Sequence, residues 1–450
     1  MDISLILQMV LVAGIASVLY TLIGVAPGTD ETAVLAPVTL VLVLAGFEPV
    51  IILTFFMAAI VAKKLTDSIP VAVAGIPGGV MSAPMVEHAL VLKKHGLADV
   101  SIRKMASGSV IGTIVSIPIS FALANFLSEF SEAIKEYTDP IFFIGAIFLA
   151  LMTKNKWLAL VSIFPLALLI QGLRHLYWGV GIVPEDTTVF ISFFLGITIG
   201  PVILTLFELL NGDLRSKLTR HETKKISFRI SKKIKGFPNP FRILTKNETV
   251  SSFFSSLLGV GTFFLSPVGM TIMIGEVVAS KIKDPVKKAA RAISSMDALT
   301  NAAYISGTLI PLIALGLPLS PTALGPGHAL FNAPPVFTQD HNLHHILSMS
   351  EFFWATIIGA GIAILITYFV TVKYAVQICR FVFKRIPHEA MLGLFFGLVL
   401  LLAYMDAGWL NVAGVLLIGL VAGVLNRLGV NYGVQFMTLY AAPFIVNTLF

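Results

Sequence analysis

Ile69-Pro70-Val71-Ala72-Val73-Ala74-Gly75-Ile76-Pro77 and Ile310-Pro311-Leu312-Ile313-Ala314-Leu315-Gly316-Leu317-Pro318 are one pattern written twice. Both read Ile-Pro, four apolar residues, Gly, an aliphatic residue and Pro. Small and hydroxyl residues follow each copy: Gly78, Gly79, Ser82, Ala83 and Pro84 after the first, Ser320, Pro321, Thr322 and Ala323 after the second. Proline removes a backbone donor and glycine permits a sharp turn, so each copy predicts a broken helix. The surroundings are very apolar, and in a bilayer a broken helix is tolerated only under cover of protein or a water-filled cavity. Broken segments at matching places in two halves point to the binding site of a membrane carrier.

Composition places the chain in the membrane. Of 450 residues, 56% are hydrophobic and 12% charged, the mean hydropathy is +0.91, and many stretches exceed the roughly 18 apolar residues of a span. The formal charge of +7 does not indicate nucleic acid, because the basic residues collect in loops, where cytoplasmic segments carry them. The stretch 211–246 is rich in Lys and Arg against only Asp213 and Glu222. The lone Cys379 excludes an internal disulfide and argues against thiolate metal sites. The start, MDISLILQMV, lacks a basic region and reads as a first span rather than a cleaved signal.

Apolar runs predict spans near 3–24, 32–46, 47–65, 103–127, 138–153, 157–173 and 187–209. After the basic loop come spans near 248–265, 267–282, 286–308, 350–372, 388–405, 408–426 and 430–448. Two stretches, about 66–93 and 309–340, suit re-entrant hairpins better than clean crossings. The division is a first repeat over 1–210, a basic cytoplasmic linker over 211–247 and a second repeat over 248–450. Lys63-Lys64, Lys93-Lys94, Arg103-Lys104, Lys154, Lys156, the 211–246 loop, Lys281 to Arg291 and Lys373 to Arg385 are assigned to the cytoplasm. The acidic loop Ser128 to Asp139 and Pro184-Glu185-Asp186 are assigned outside. Both termini then lie outside, each half has about seven spans, and the odd number inverts the second half. The expected class is an all-α polytopic membrane protein of two inverted repeats, each with a re-entrant hairpin. Ile23-Gly24-Val25 and Leu258-Gly259-Val260, placed alike before each hairpin, reinforce the repeat.

At these motifs the chain resembles the large membrane permease subunit of the tripartite tricarboxylate transporter family. The likeness covers most of the length. It rests on Gly24-Val25-Ala26-Pro27-Gly28, Gly75-Ile76-Pro77-Gly78, Met85 to Leu90 and Lys93-Lys94-His95-Gly96 in the first half. In the second it rests on Lys283-Asp284-Pro285, Asn301-Ala302-Ala303, Leu309 to Pro311, Leu315 to Pro318, Ser320 to Ala323 and Leu425 to Gly429. The pattern departs from the family at Gly259-Val260-Gly261-Thr262, at Leu319, and at Asp297, which is followed by one asparagine. The resemblance implies uptake of small di- and tricarboxylates across a bacterial or archaeal plasma membrane, driven by a sodium or proton gradient. It also implies a small membrane partner and an extracytoplasmic solute-binding protein. The alternatives are a stand-alone anion permease without a binding protein, or a channel.

A carboxylate can be held by Arg or Lys within the membrane, or by backbone N–H groups at helix starts together with hydroxyls. Almost no basic residue lies deep in a predicted span, which favours the second route. The anion-site candidates are Gly75, Gly78, Gly79 and Ser82 with Gly316, Ser320 and Thr322; for the three hydroxyls, plain helix capping is the competing role. Membrane carboxyls usually face a cavity. Asp30 and Glu31 at a break between spans, and Asp297 with Asn301 one helical turn apart, are the cation-coupling candidates. Asp67, Glu87 and Glu276 are assigned to solvated interfaces. Asp340-His341-Asn342-Leu343-His344-His345 reads as an exposed polar loop rather than a metal site. His388-Glu389 lacks a second His at zincin spacing, and no Gly-x-Ser-x-Gly or P-loop is present, so nothing points to an enzyme or a resident cofactor.

Overall fold

The structure is a computed structural model that describes the chain except residues 1, 27–28, 30, 75–77, 154, 185–189, 214–235, 266, 339, 386–387 and 450. The first half contains α1 (Ile3–Val25), α2 (Glu31–Leu44), α3 (Pro49–Ala74), α4 (Val86–Lys94), α5 (Ala98–Ser128), α6 (Thr138–Leu151), α7 (Lys156–Gly179) and α8 (Phe190–Leu210). The second contains α9 (Lys246–Gly261), α10 (Pro267–Ala279), α11 (Pro285–Ala314), α12 (Met349–Ala363), α13 (Phe369–Arg385), α14 (His388–Arg427) and α15 (Tyr432–Leu449). Among the described residues the only strand-like pairing is an isolated bridge between Thr338 and His341.

α1, α3, α5, α7, Met349–Ala375 and Gly393–Arg427 are long and apolar enough to cross a membrane. The chain is an all-α polytopic membrane protein. The 40 residues of α14 would run about 60 Å at helical rise, twice the hydrocarbon thickness. Its backbone leaves the helix at Ala407 and Gly408, where the glycine takes φ +70°, and this break separates the two spans expected near 388–405 and 408–426. α12 passes into α13 through one π-helical turn, Ile364–Tyr368.

The chain packs as two units. One comprises Met1–Glu129, Thr223–Phe331 and Pro335–His388; the other comprises Phe130–Glu222, Asn332–Pro334 and Glu389–Phe450. Each draws on both halves of the sequence.

In the first unit α3 and α11 are the central helices. α3 packs on α1 and α12, and α11 packs on α5 and α9. Glycines make these contacts close. A Cβ on Gly108 would lie 2.2 Å from the Ser294 carbonyl oxygen, and one on Gly112 would lie 2.5 Å from that of Ala298. Gly108-x-x-x-Gly112 is the small-residue spacing that lets membrane helices touch backbone to backbone. Ser17, Thr21, Thr54 and Ser306 donate to carbonyls four residues back in their own helices, so these buried hydroxyls are satisfied locally. Asp284 caps α11, accepting from the Lys287 and Val286 N–H groups at 2.9 Å, and these bonds hold its carboxyl below the usual range.

The second unit repeats the glycine device in α8 and α14. A Cβ on Gly200 would lie 2.5 Å from Gly423 N, and one on Gly419 would lie 3.0 Å from the Gly196 carbonyl oxygen. Phe142 of α6 stacks on Tyr440 of α15 at 4.4 Å between centroids.

A buried charge network under two hairpin turns

α3 and α11 do not end at Pro70 and Pro311. Both helices carry on through the proline, to Ala74 and Ala314, so each helix ends later than its proline indicates. This shift matters because it draws Lys63, Lys64 and Asp67 into the body of α3. Their side chains are at most 1% exposed. The expectation of a solvated Asp67 is therefore corrected, and Lys63 and Lys64 lie within a helix long and apolar enough to cross a membrane.

The three residues are partners on one helix. Lys63 Nζ donates to Asp67 Oδ1 four residues on, and Lys64 Nζ donates to Asp67 Oδ2 at 3.3 Å. Lys64 Nζ also donates to Glu31 Oε1 at 2.8 Å, reaching the first turn of α2, and lies 4.6 Å from the centre of the Tyr304 ring of α11. Glu31 is 1% exposed and does not sit in a wet loop. Burying four charged groups is tolerable only with this mutual pairing.

The first hairpin turn rests on that network. A Cβ on Gly79 would fall 2.6 and 2.7 Å from the two Glu31 carboxylate oxygens, and one on Gly78 would fall 2.9 Å from Asp67 Oδ1. Glycine is required here by the close approach, since Gly79 itself is extended (φ −149°). Ser82 is buried and donates to the Gly79 carbonyl at 2.9 Å while accepting from Gly79 N at 3.1 Å, a local capping role. Gly75 and Asp30 lie outside the described residues.

The second turn rests on neutral groups. Ser320 Oγ donates to the Gly307 carbonyl, accepts from Ala323 N at 3.0 Å and lies 3.2 Å from Thr322 Oγ1. A Cβ on Gly325 would meet Thr32 Oγ1 at 2.9 Å; Thr32 follows Glu31 in α2. Gly316 takes φ +67°. Its carbonyl accepts from Asn342 Nδ2 at 2.9 Å, and His344 Nδ1 lies 3.0 Å from the Ile313 carbonyl oxygen. The expected exposed polar loop is thus partly buried, at Asn342 and Leu343, and it clamps the second turn. Among the described residues no group of three or more His, Cys, Asp or Glu has metal-binding geometry.

Asp297 and Asn301 come together as their spacing indicates. Asp297 Oδ2 accepts from Ser109 Oγ at 2.9 Å, and Asn301 Nδ2 donates to Thr113 Oγ1 and the Ser109 carbonyl, both at 2.6 Å. The buried Asn301 Oδ1 has no hydrogen-bond partner. The close contact of α5 with α11 at Gly108 and Gly112 is what lets Ser109 and Thr113 reach these side chains. Glu87 is exposed, and the Glu276 side chain lies outside the description. Sequence reasoning missed Lys63, Lys64 and Asp67 as one cluster, although their i,i+3 and i,i+4 spacing was the available signal. It also missed Ser109 and Thr113, whose role depends on a partner far away in sequence.

Comparison with curated proteins returned no match, and comparison with solved structures returned none. A family profile does match, over residues 10–435, nearly the whole chain. Its description is the tripartite tricarboxylate transporter TctA family. A match over nearly the whole chain, in a protein with six helices among the described residues long and apolar enough to cross a membrane, leaves one conclusion: the chain belongs to the TctA family, the large subunit of the tripartite tricarboxylate transporter.

Proposed function

We propose that the protein is the permease of a secondary uptake system for small di- and tricarboxylates, coupled to sodium or protons. The carrying observation is that both hairpin turns meet neighbouring residues of α2, Gly79 at Glu31 and Gly325 at Thr32. Substrate is held between the turns by Gly75, Gly78, Gly79, Ser82, Gly316, Ser320 and Thr322. The coupling cation is held by Asp30, Glu31, Asp297 and Asn301, with Ser109 and Thr113 as neighbours.

An inverted repeat underlies this arrangement, and exchanged pairing supports it. α3 packs on α1 of its own half and α12 of the other, while α11 packs on α9 of its own half and α5 of the other. The glycines correspond as well: Gly24 abuts α3 at Thr66 as Gly259 abuts α11 at Leu299, and Gly359 abuts α3 at Thr54 as Gly108 abuts α11 at Ser294. Transport is elevator-like, in a plasma membrane, and is fed by a solute-binding protein with a small membrane subunit alongside.

The test is uptake of labelled succinate, malate, citrate and tricarballylate into proteoliposomes under imposed sodium or proton gradients, with and without the candidate binding protein. Gradient-driven accumulation of one acid is expected, and only with that protein present. Accumulation without it assigns a stand-alone permease. No accumulation from folded protein under any gradient overturns the reading.

A further inference from the structure

We propose that Glu31 is a resident stand-in for the substrate: its carboxylate holds Lys64 while the site is empty, and a substrate carboxylate takes its place on Lys64. The inference rests on the carboxylate-transport reading above and adds a cationic residue to the substrate site.

Lys64 has three partners, and Glu31 is the one that stands at the start of its helix. Asp67 lies three residues away on the same helix at 3.3 Å, so its backbone stays beside Lys64 as long as α3 is helical. The Tyr304 ring belongs to α11, a long helix buried over most of its length. Glu31 instead stands in the first turn of a 14-residue helix, beyond a break where Ala26 is already extended. Asp67 also has Lys63 as a second partner, whereas the ion pair of Glu31 is with Lys64 alone among the described residues. When Glu31 leaves, Lys64 keeps Asp67 and the ring face, and remains a buried cation in need of an anion.

The position of the Glu31 carboxylate is the position a bound anion would take. Both oxygens lie where a Gly79 side chain would be, so the first hairpin turn presents bare backbone to them. A substrate carboxylate brought to that turn arrives at the group that holds Lys64.

Charge then explains coupling. In the ion-pair network two carboxylates, Glu31 and Asp67, face two lysines, Lys63 and Lys64. A substrate carboxylate adds one negative group and takes the ion-pair partner of Glu31. Buried charge left uncompensated is strongly unfavourable, so a sodium ion or a proton must neutralise the displaced Glu31. Substrate and cation are thus linked through one exchange at Lys64.

The experiment is titration calorimetry of citrate and succinate into the purified full chain, at low and high sodium and at two pH values. Removing the competitor in Glu31→Gln is expected to tighten binding about tenfold or more, by raising the fraction of chains with Lys64 available. It is also expected to abolish the sodium and pH dependence of binding. Glu31→Asp, which shortens the reach and keeps the charge, falls between the two and carries the test if the Gln variant does not fold. The double variant Glu31→Gln, Lys64→Met has a neutral pair; it is expected to unfold near the wild-type temperature and to bind neither acid. Unchanged or weaker binding in both Glu31 variants overturns the proposal, as does wild-type affinity in the double variant. If the wild type binds no carboxylate, the transport reading falls and this inference with it. If it binds and the Glu31 variants do not tighten, this inference falls alone.

Discussion

The two hairpin turns share a sequence pattern and rest on opposite chemistry. Under the first, Gly78 and Gly79 lie against the carboxylates of Asp67 and Glu31, which pair with Lys63 and Lys64. Under the second, Ser320, Thr322, Gly307 and Thr32 supply only neutral groups, and Asn342 with His344 closes the turn from outside. Neutral hydrogen bonds within a dry core do not respond to ions. Ion pairs do, because each member has a distinct partner it accepts from solution. The two copies of the pattern therefore differ in what they rest on, ion pairs under one turn and neutral hydrogen bonds under the other.

The largest effect that tests this contrast comes from Asp67→Asn. It leaves two buried lysines with one carboxylate fewer, and the expected loss is about 3–5 kcal/mol, read as a lowered unfolding temperature in detergent. Ser320→Ala under the other turn removes a capping hydroxyl and is expected to cost about 0.5–2 kcal/mol. Equal losses would erase the distinction.

Alanine at the two turn glycines sharpens it further. Gly79→Ala meets a side chain, so its overpacking cost of about 1–3 kcal/mol, read as a lowered unfolding temperature, is expected to be relieved by Glu31→Asp in the same chain. Gly316→Ala fails for an added reason: besides the contact of a Cβ with His344 at 3.0 Å, its φ of +67° disfavours any side chain by roughly 1–2 kcal/mol. Shortening a neighbour does not relieve that strain. Rescue of both, or of neither, contradicts the assignment.

The smallest effect is at the clamp. Asn342→Ala deprives the Gly316 carbonyl of its side-chain donor, a loss of about 1 kcal/mol. Amide hydrogen exchange should quicken over residues 315–330 and stay unchanged over 78–94. Quickening in both would mean the turns are mechanically one element.

Much of the architecture was legible because spans are set by length and apolarity, which are local. The span expected at 103–127 lies within α5, Ala98–Ser128, and that expected at 157–173 lies within α7, Lys156–Gly179; the segment expected at 138–153 is α6, a helix of 14 residues, shorter than a crossing needs. The spacing of Asp297 and Asn301 was legible for the same reason: it is one helical turn. What was not legible is pairing. Lys63-Lys64 reads as the charged edge of a span when counted as loop charge, and only the neighbouring Asp67 and the distant Glu31 turn it into a buried network. Pro70 compounded the error, since a proline near a helix end is also compatible with helix on both sides. Ser109 and Thr113 are ordinary helix hydroxyls until α11 arrives against Gly108 and Gly112.

The composition of α3 also bears on how the chain enters its membrane. Two lysines and an aspartate within five residues carry an insertion cost of roughly 2.5–3.5 kcal/mol each near the centre of an isolated helix. The pairing of Lys63 and Lys64 with Asp67 is available within α3 itself, but that of Lys64 with Glu31 needs α2 beside it. α3 is therefore poorly suited to partition into lipid alone. It is expected to settle only when α2 is already there to receive it, so that the order of synthesis, with Glu31 emerging before Lys64, becomes part of the assembly pathway.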